Sequence, residues 1–116
     1  MTAEPKIFDL SFLEEMDDTN FLKQVIKLYL EDTPQDLTEM KEALLIPEPD
    51  TIAKKAHKLK SSTGMLQANK LFDILEETEK LAKEGQVTTE LNELIAHAQY
   101  EFDSLKKALE THLETL

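Results

Sequence analysis

The sequence predicts an all-α protein: an antiparallel up-and-down four-helix bundle with a short extra N-terminal helix. Its 116 residues are the length of one domain, so residues 1–116 are expected to form a single unit. Two glycines and four prolines are too few for the many turns of a sandwich, a barrel or a dinucleotide-binding fold. Apolar residues recur at helical spacing in four long segments with short connections, and an antiparallel bundle is the simplest way to bury their apolar faces.

Two helices are predicted in the first part of the chain. Asp9 is placed to cap a short helix over residues 10–16, which is too short to be more than a lid or a packing element. The polar residues 17–19 then offer N-cap candidates for a long helix that reaches about Leu45. Pro34 lies inside that helix and has no backbone N–H to donate, so we expect a bend or a one-turn break just before it.

Three further helices are predicted after residue 50. Asp50 is the candidate cap of a third helix over residues 51–66. A fourth helix is expected over residues 69–84, because Gly85 can end it in a left-handed conformation. The fifth helix begins at Thr88 and keeps an apolar stripe toward the C-terminus.

Composition excludes several classes of function. The net charge of −11 arises from 24 acids against 13 lysines and no arginine, so nucleic acid is a poor partner for this surface. The absence of cysteine excludes disulfides, thiolate catalysis and thiolate metal sites. No run reaches the roughly 18 apolar residues of a membrane span. Met1 leads into the run TAEP rather than a basic, apolar leader, so we expect no membrane or secretory segment and a cytoplasmic protein.

The charge reverses sign along the predicted third helix. Residues 51–72 contain no acid, but they contain five lysines: Lys54, Lys55, Lys58, Lys60 and Lys70. A basic stretch in an acidic chain indicates a site for an acidic partner, although a solvated helix face is the simpler alternative.

One histidine lies on the outer face of this helix. At about 100° per residue, the core side is formed by Ile52, Ala56, Leu59, Thr63 and Leu66. His57, Ser61 and Gly64 then lie on the outer face. Lys54 lies one turn before His57, and Lys60 lies one turn after it at the edge of the core. The spacing therefore predicts an exposed imidazole between two lysines, beside two small residues that let another protein approach.

The chemistry that suits this imidazole is phosphoryl transfer. A general base usually needs an orienting carboxylate, and residues 51–72 supply none. The di-metal signature of helical bundles, Glu three residues before His, is absent at His57, His97 and His112. A neutral imidazole is a competent nucleophile, and neighbouring lysines can stabilise the charge of a phosphoryl group. His97 and His112 are predicted to be structural.

The run AHKLKSSTGML at residues 56–66 resembles the signature of histidine-containing phosphotransfer (HPt) domains, which act in multistep phosphorelays. The resemblance implies that His57 is the phosphorylated histidine and that Lys60 steadies the phosphoryl group. Two positions depart from the family pattern. Ser61 stands where glycine is usual and adds a hydroxyl beside the imidazole, and Gln67 replaces the closing glycine, so the helix is expected to continue or to end differently.

The resemblance extends to the predicted second helix and implies a function and partners. His57 would take a phosphoryl group from one receiver-domain aspartate and pass it to another. The implied partners are response-regulator receiver domains and a hybrid sensor kinase, which a monomer would meet through Lys54, Lys58, Ser61 and Gly64. No cofactor of its own is expected, and Mg²⁺ is expected on the receiver. Without a glycine-rich nucleotide loop, the chain is not expected to be a kinase.

The sequence alone leaves two other functions open. One is a non-catalytic helical adaptor that binds acidic protein partners through the lysine-rich third helix. The other is a small enzyme that uses His57 as a base, which the missing carboxylate partner makes the weaker alternative.

Overall fold

The computed structural model describes residues 7–116 and contains five helices. They are α1 (Ser11–Glu14), α2 (Thr19–Leu45), α3 (Pro49–Met65), α4 (Asn69–Ala82) and α5 (Thr89–Leu113). No strand occurs within residues 7–116, so the predicted all-α class is confirmed. Residues 1–6 lie outside the described residues. The prediction that the chain has no leader segment depends on these residues.

The four long helices form one bundle, with the short α1 added at one end. α3 contacts both α2 and α4, and α5 contacts both α4 and α2, so the four helices close into a ring. The short segments 46–48, 66–68 and 83–88 connect them, and consecutive helices therefore run antiparallel. The up-and-down bundle and its short extra helix are confirmed, whereas the single domain over residues 1–116 stays a prediction.

Two of the long helices begin where the sequence predicts. The side chain of Asp18 caps α2 by accepting a hydrogen bond from the backbone N–H of Phe21 at 3.0 Å. Thr88 caps α5 in the same way, accepting from the backbone N–H of Leu91 at 3.1 Å. Each cap satisfies one of the N–H groups that a helix start leaves without a partner.

The third helix begins two residues earlier than predicted. Glu48, not Asp50, is its N-cap, and Pro49 is its first residue. The fixed φ of proline suits the first helical position, where the missing N–H would have no partner in any case. Asp50 lies in the first turn, where its negative charge favours the positive end of the helix dipole.

Two other helix ends differ from the prediction. α1 is only four residues long, although Asp9 still accepts a hydrogen bond from the backbone N–H of Ser11 at 2.9 Å. α4 ends at Ala82, before Gly85, which takes the expected left-handed conformation with φ of +86°.

Of the bend or one-turn break predicted before Pro34, the break does not occur, because α2 is a single helix from Thr19 to Leu45; the bend stays a prediction. Thr33, Asp36 and Leu37 around the proline are buried against the rest of the bundle. Packing on these neighbours holds the helix together although proline removes one backbone hydrogen bond.

Gln67 ends α3 in the way that a glycine would. It adopts a left-handed conformation with φ of +50°. Its N–H donates to the carbonyl of Gly64 at 3.0 Å, and the N–H of Ala68 donates to that of Thr63 at 3.4 Å. α3 therefore ends just before the position where the family pattern has glycine. The side chain of Gln67 makes the left-handed turn less favourable there than glycine would.

The core face predicted for α3 is confirmed. Its five members, Ile52, Ala56, Leu59, Thr63 and Leu66, are all buried. A buried hydrogen bond of 2.8 Å joins the hydroxyls of Thr63 and Tyr29, and burial raises the pKa of Tyr29 to about 12. This pairing fixes how α3 is rotated against α2 and turns the opposite face of α3 toward solvent. Within the described residues, no helix is both long and apolar enough to cross a membrane.

Candidate functional site

His57 lies in the middle of α3 with its imidazole on the surface, as predicted. Its side chain is 65% exposed, and Nδ1 lies 2.9 Å from Oε2 of Glu79 on α4. Because an ionised carboxylate can only accept a hydrogen bond, Nδ1 carries the ring proton. In the neutral ring, Nε2 then holds the free lone pair. The contact therefore leaves Nε2 as the nitrogen of His57 that can act as a nucleophile.

Glu79 is a buried carboxylate that three cationic or polar groups share. Oε1 contacts the ammonium of Lys60 at 2.9 Å, and Oε2 contacts the ammonium of Lys83 at 3.1 Å as well as His57. The contact with Lys60 contributes most to lowering the pKa of Glu79 to about 2; Lys83 and His57 add to it, and burial opposes it. Glu79 is therefore ionised at neutral pH and orients the imidazole.

Glu79 was not predicted as a site residue, and the expectation that His57 lacks a carboxylate partner is wrong. No acid lies near His57 in the chain, whereas Glu79 comes from the next helix, 22 positions away. One signal was present in the sequence. Glu79 falls four residues after Leu75 and three before Ala82, inside the apolar stripe of α4. A charged residue on the buried face of an amphipathic helix needs a partner, and His57 and Lys60 are such partners.

Lys60 lies at the edge of the core, as predicted, but it faces α4. Its side chain is only 21% exposed. Its ammonium contacts Glu79 and lies 6.0 Å from the centre of the Phe72 ring, at the limit of a cation–π contact. Two groups of α4 therefore hold Lys60 in place.

The two small residues beside His57 have contacts that the sequence did not show. Gly64 lies next to the ring of Phe72 on α4, where an added Cβ atom would be 3.4 Å from the ring, an ordinary van der Waals distance. Ser61 is exposed, and its hydroxyl donates to the backbone carbonyl of His57 at 3.3 Å. The hydroxyl that replaces the usual glycine is therefore bonded to the helix backbone.

The lysines predicted to dock a partner lie on different sides of α3. Lys54 is exposed beside His57, where both line a shallow depression of about 340 Å³ together with Ala53, Glu79 and Lys83. Lys58 instead faces α2 and pairs with the buried Asp36 at 2.9 Å. Only Lys54 of these two therefore lies on the His57 side of the helix.

The other two histidines lie on α5 and have different surroundings. His97 Nε2 lies 3.6 Å from a carboxylate oxygen of Glu101 on the same helix. The ring of His112 meets Phe8 edge-on, with 5.6 Å between the ring centres. Within residues 7–116, no cluster of three or more histidine, aspartate and glutamate side chains is arranged to hold a metal ion.

Comparison with known proteins identifies the family. A family model described as the Hpt domain matches residues 24–116, which is most of the chain. The chain belongs to the Hpt domain family. The predicted family is confirmed, and this Hpt domain is a histidine phosphotransfer module of a phosphorelay. The comparison with curated proteins found no match.

Two solved structures have the same fold as this Hpt domain. Histidine-containing phosphotransfer protein B from Pseudomonas aeruginosa PAO1 matches with a TM-score of 0.89 and 18% identity, over 97% of this chain and 99% of that one. The HPT domain of an Hpt sensor hybrid histidine kinase from Shewanella matches with a TM-score of 0.76 and 18% identity, over 90% of each chain.

Proposed function

We propose that His57 is the residue of this Hpt domain that carries the phosphoryl group, taking it from one receiver aspartate and giving it to another. The observation that carries the proposal is the contact between its Nδ1 and the buried, ionised Glu79. That contact leaves Nε2 of an exposed ring as the nucleophile, where the active site of a second protein has access to it.

The transfer step follows from this arrangement. The Nε2 lone pair of His57 attacks the phosphorus of the receiver's aspartyl phosphate, and the bond from phosphorus to the aspartate oxygen breaks. The electron pair of that bond returns to the aspartate as a carboxylate. Nδ1 keeps its proton, so the phosphorylated ring becomes positively charged, and Glu79 stabilises that charge. The same step in reverse delivers the phosphoryl group to the next receiver.

The receiver supplies the rest of the chemistry in this proposal. Mg²⁺ is placed on the receiver, because the lysines around His57 repel a free cation, and this domain needs no cofactor of its own. Lys54, Ser61 and Gly64 form the docking face beside His57, while Lys58 contributes from the α2 side. We place the domain in the cytoplasm as a monomer that acts on receiver domains and a hybrid sensor kinase, and the acidic chain argues against nucleic acid as a partner.

Transfer from a phosphorylated receiver tests this assignment. The domain should gain an acid-labile label, as expected of phosphohistidine, and His57→Gln should abolish it while the helical circular dichroism stays normal. His97→Gln and His112→Gln are matched controls that should keep the label. A label that survives His57→Gln would place the site elsewhere. Receiver binding with no label on any variant would favour the non-catalytic adaptor.

A further inference from the structure

Two lysines contact Glu79, but only one of them lies beside the open face of the imidazole. Lys83 contacts Oε2, the same oxygen that accepts from His57, whereas Lys60 contacts Oε1. Lys83 also lines the depression next to His57, and Lys60 does not. Lys83 is therefore the closer of the two to the space beside the ring.

The two lysines also differ in how firmly they are held. The Lys83 side chain is 65% exposed, and its contact with Glu79 joins residues four apart in the chain at the C-terminal end of α4. Lys60 is 21% exposed, and it is held by Phe72 as well as by Glu79. An exposed ion pair on a helix contributes little to stability, so Lys83 can change partners at small cost.

Phosphorylation changes which partner each lysine favours. A phosphoryl group on Nε2 brings up to two negative charges to the surface, and the ring that holds Nδ1–H becomes positive. If Lys83 leaves Glu79, the carboxylate keeps Lys60 and the charged ring as partners. If Lys60 left instead, the buried carboxylate would lose the contact that lowers its pKa most.

We propose that Lys83 is the cation that contacts the phosphoryl group on His57, and that Lys60 is a positioning residue that holds Glu79 in place. This inference rests on the proposed function of His57. It differs from what the sequence resemblance implies, which is that Lys60 steadies the phosphoryl group. Lys83 directly follows the last residue of α4, outside the run of residues 56–66 that carries the resemblance.

The experiment follows the phosphoryl group without a receiver. The full chain is phosphorylated with phosphoramidate, and the ³¹P resonance of the phosphohistidine is titrated with pH. A nearby ammonium favours the dianion, so Lys83→Ala should raise the midpoint by up to about one pH unit. Lys83→Arg should restore it. Lys80→Ala removes an exposed lysine of α4 and should leave the midpoint unchanged.

The positioning role of Lys60 needs a second measurement. Lys60→Ala should leave the ³¹P midpoint near that of the wild type but change the ¹⁵N shifts of the His57 ring, because Glu79 loses its strongest partner.

In the transfer equilibrium with a receiver, Lys83→Ala should favour the phosphorylated receiver by roughly tenfold.

Two results would overturn the inference. One is a ³¹P midpoint that moves with Lys60→Ala but not with Lys83→Ala, and the other is a midpoint that neither substitution changes. Failure of the proposed function would give a different result: a phosphorylated receiver would transfer no phosphoryl group to His57 of the wild-type domain.

Discussion

Two faces of α3 carry a similar arrangement of charges, but only one of them includes an imidazole. Toward α2, the buried Asp36 pairs with Lys55 and Lys58. Toward α4, the buried Glu79 pairs with Lys60, Lys83 and His57. On both faces a carboxylate from a neighbouring helix neutralises at least one lysine of α3.

The surroundings of the two carboxylates differ. Beside Asp36, the surface is an apolar groove of about 290 Å³ between α2 and α3, bordered by Leu28 and Met65. Beside Glu79 lies a depression lined by the exposed imidazole of His57 and by Lys54 and Lys83. The same pairing therefore attaches α2 to α3 on one face and orients an imidazole on the other. Lysines in the sequence of α3 alone do not distinguish these two roles.

Removing each carboxylate should give the largest difference between the two faces. Glu79→Ala frees the imidazole to change tautomer and should slow transfer from a receiver by about a hundredfold or more. Asp36→Ala should leave the transfer rate within about twofold and instead lower the melting temperature, since it leaves two lysines without their buried partner. Transfer rates and melting curves are measured on the same samples.

A second variant separates orientation from folding. Glu79→Gln keeps the shape and an acceptor oxygen but loses the charge, so its transfer rate should lie between those of the wild type and Glu79→Ala. If both variants of Glu79 transferred at the wild-type rate in a folded protein, the two faces would not differ in function.

The lysines on the two faces should differ by a smaller amount. Lys60→Ala loosens Glu79 and should slow transfer by about tenfold. Lys58→Ala removes a charge that pairs with Asp36 and should change the rate by less than about twofold. Rates at low and high salt show whether a loss is local or arises from general attraction between the proteins. Equal losses in the two variants would point to general attraction.

The smallest expected effect is on stability in acid. Folding lowers the pKa of Glu79 to about 2 from its ordinary value of 4.5, chiefly through the contact with Lys60. The unfolded chain therefore takes up this proton first as the pH falls. The stability that Glu79 contributes is complete above about pH 4.5 and is lost as the pH falls toward 2.

Urea unfolding at several pH values between 5 and 2 measures this loss. Glu79→Gln should make the fall in unfolding free energy less steep than in the wild type. Glu77→Gln, an exposed control on the same helix, should leave the slope unchanged. The same slope in the wild type and in Glu79→Gln would contradict the assigned role of the ion pairs.

The sequence was sufficient to predict the features of the fold that depend on neighbours along the chain. Asp18, one of the predicted candidates, caps α2, and Thr88 caps α5 at the predicted start of that helix, because a cap bonds to an N–H three residues away. The buried face of α3 and the exposure of His57 followed from helical periodicity. The short motif 56–66 then identified the family.

The features that the sequence analysis missed depend on contacts between helices. Glu79 reaches His57 only because α4 packs on α3 at one rotation and one height, which no local pattern specifies. Packing on both sides of Pro34 likewise keeps α2 continuous. One missed feature is local instead: Glu48 rather than Asp50 is the N-cap residue of α3, because Pro49 suits the first helical position.

The central claim is that Glu79 makes Nε2 of His57 the atom that accepts the phosphoryl group. It is tested most directly by NMR of the ¹⁵N-labelled domain after transfer from a phosphorylated receiver, with coupling between phosphorus and each ring nitrogen measured. We predict that phosphorus is bonded to Nε2 of His57 and that Nδ1 still carries its proton. Phosphorus on Nδ1, or on any residue other than His57, would contradict the account.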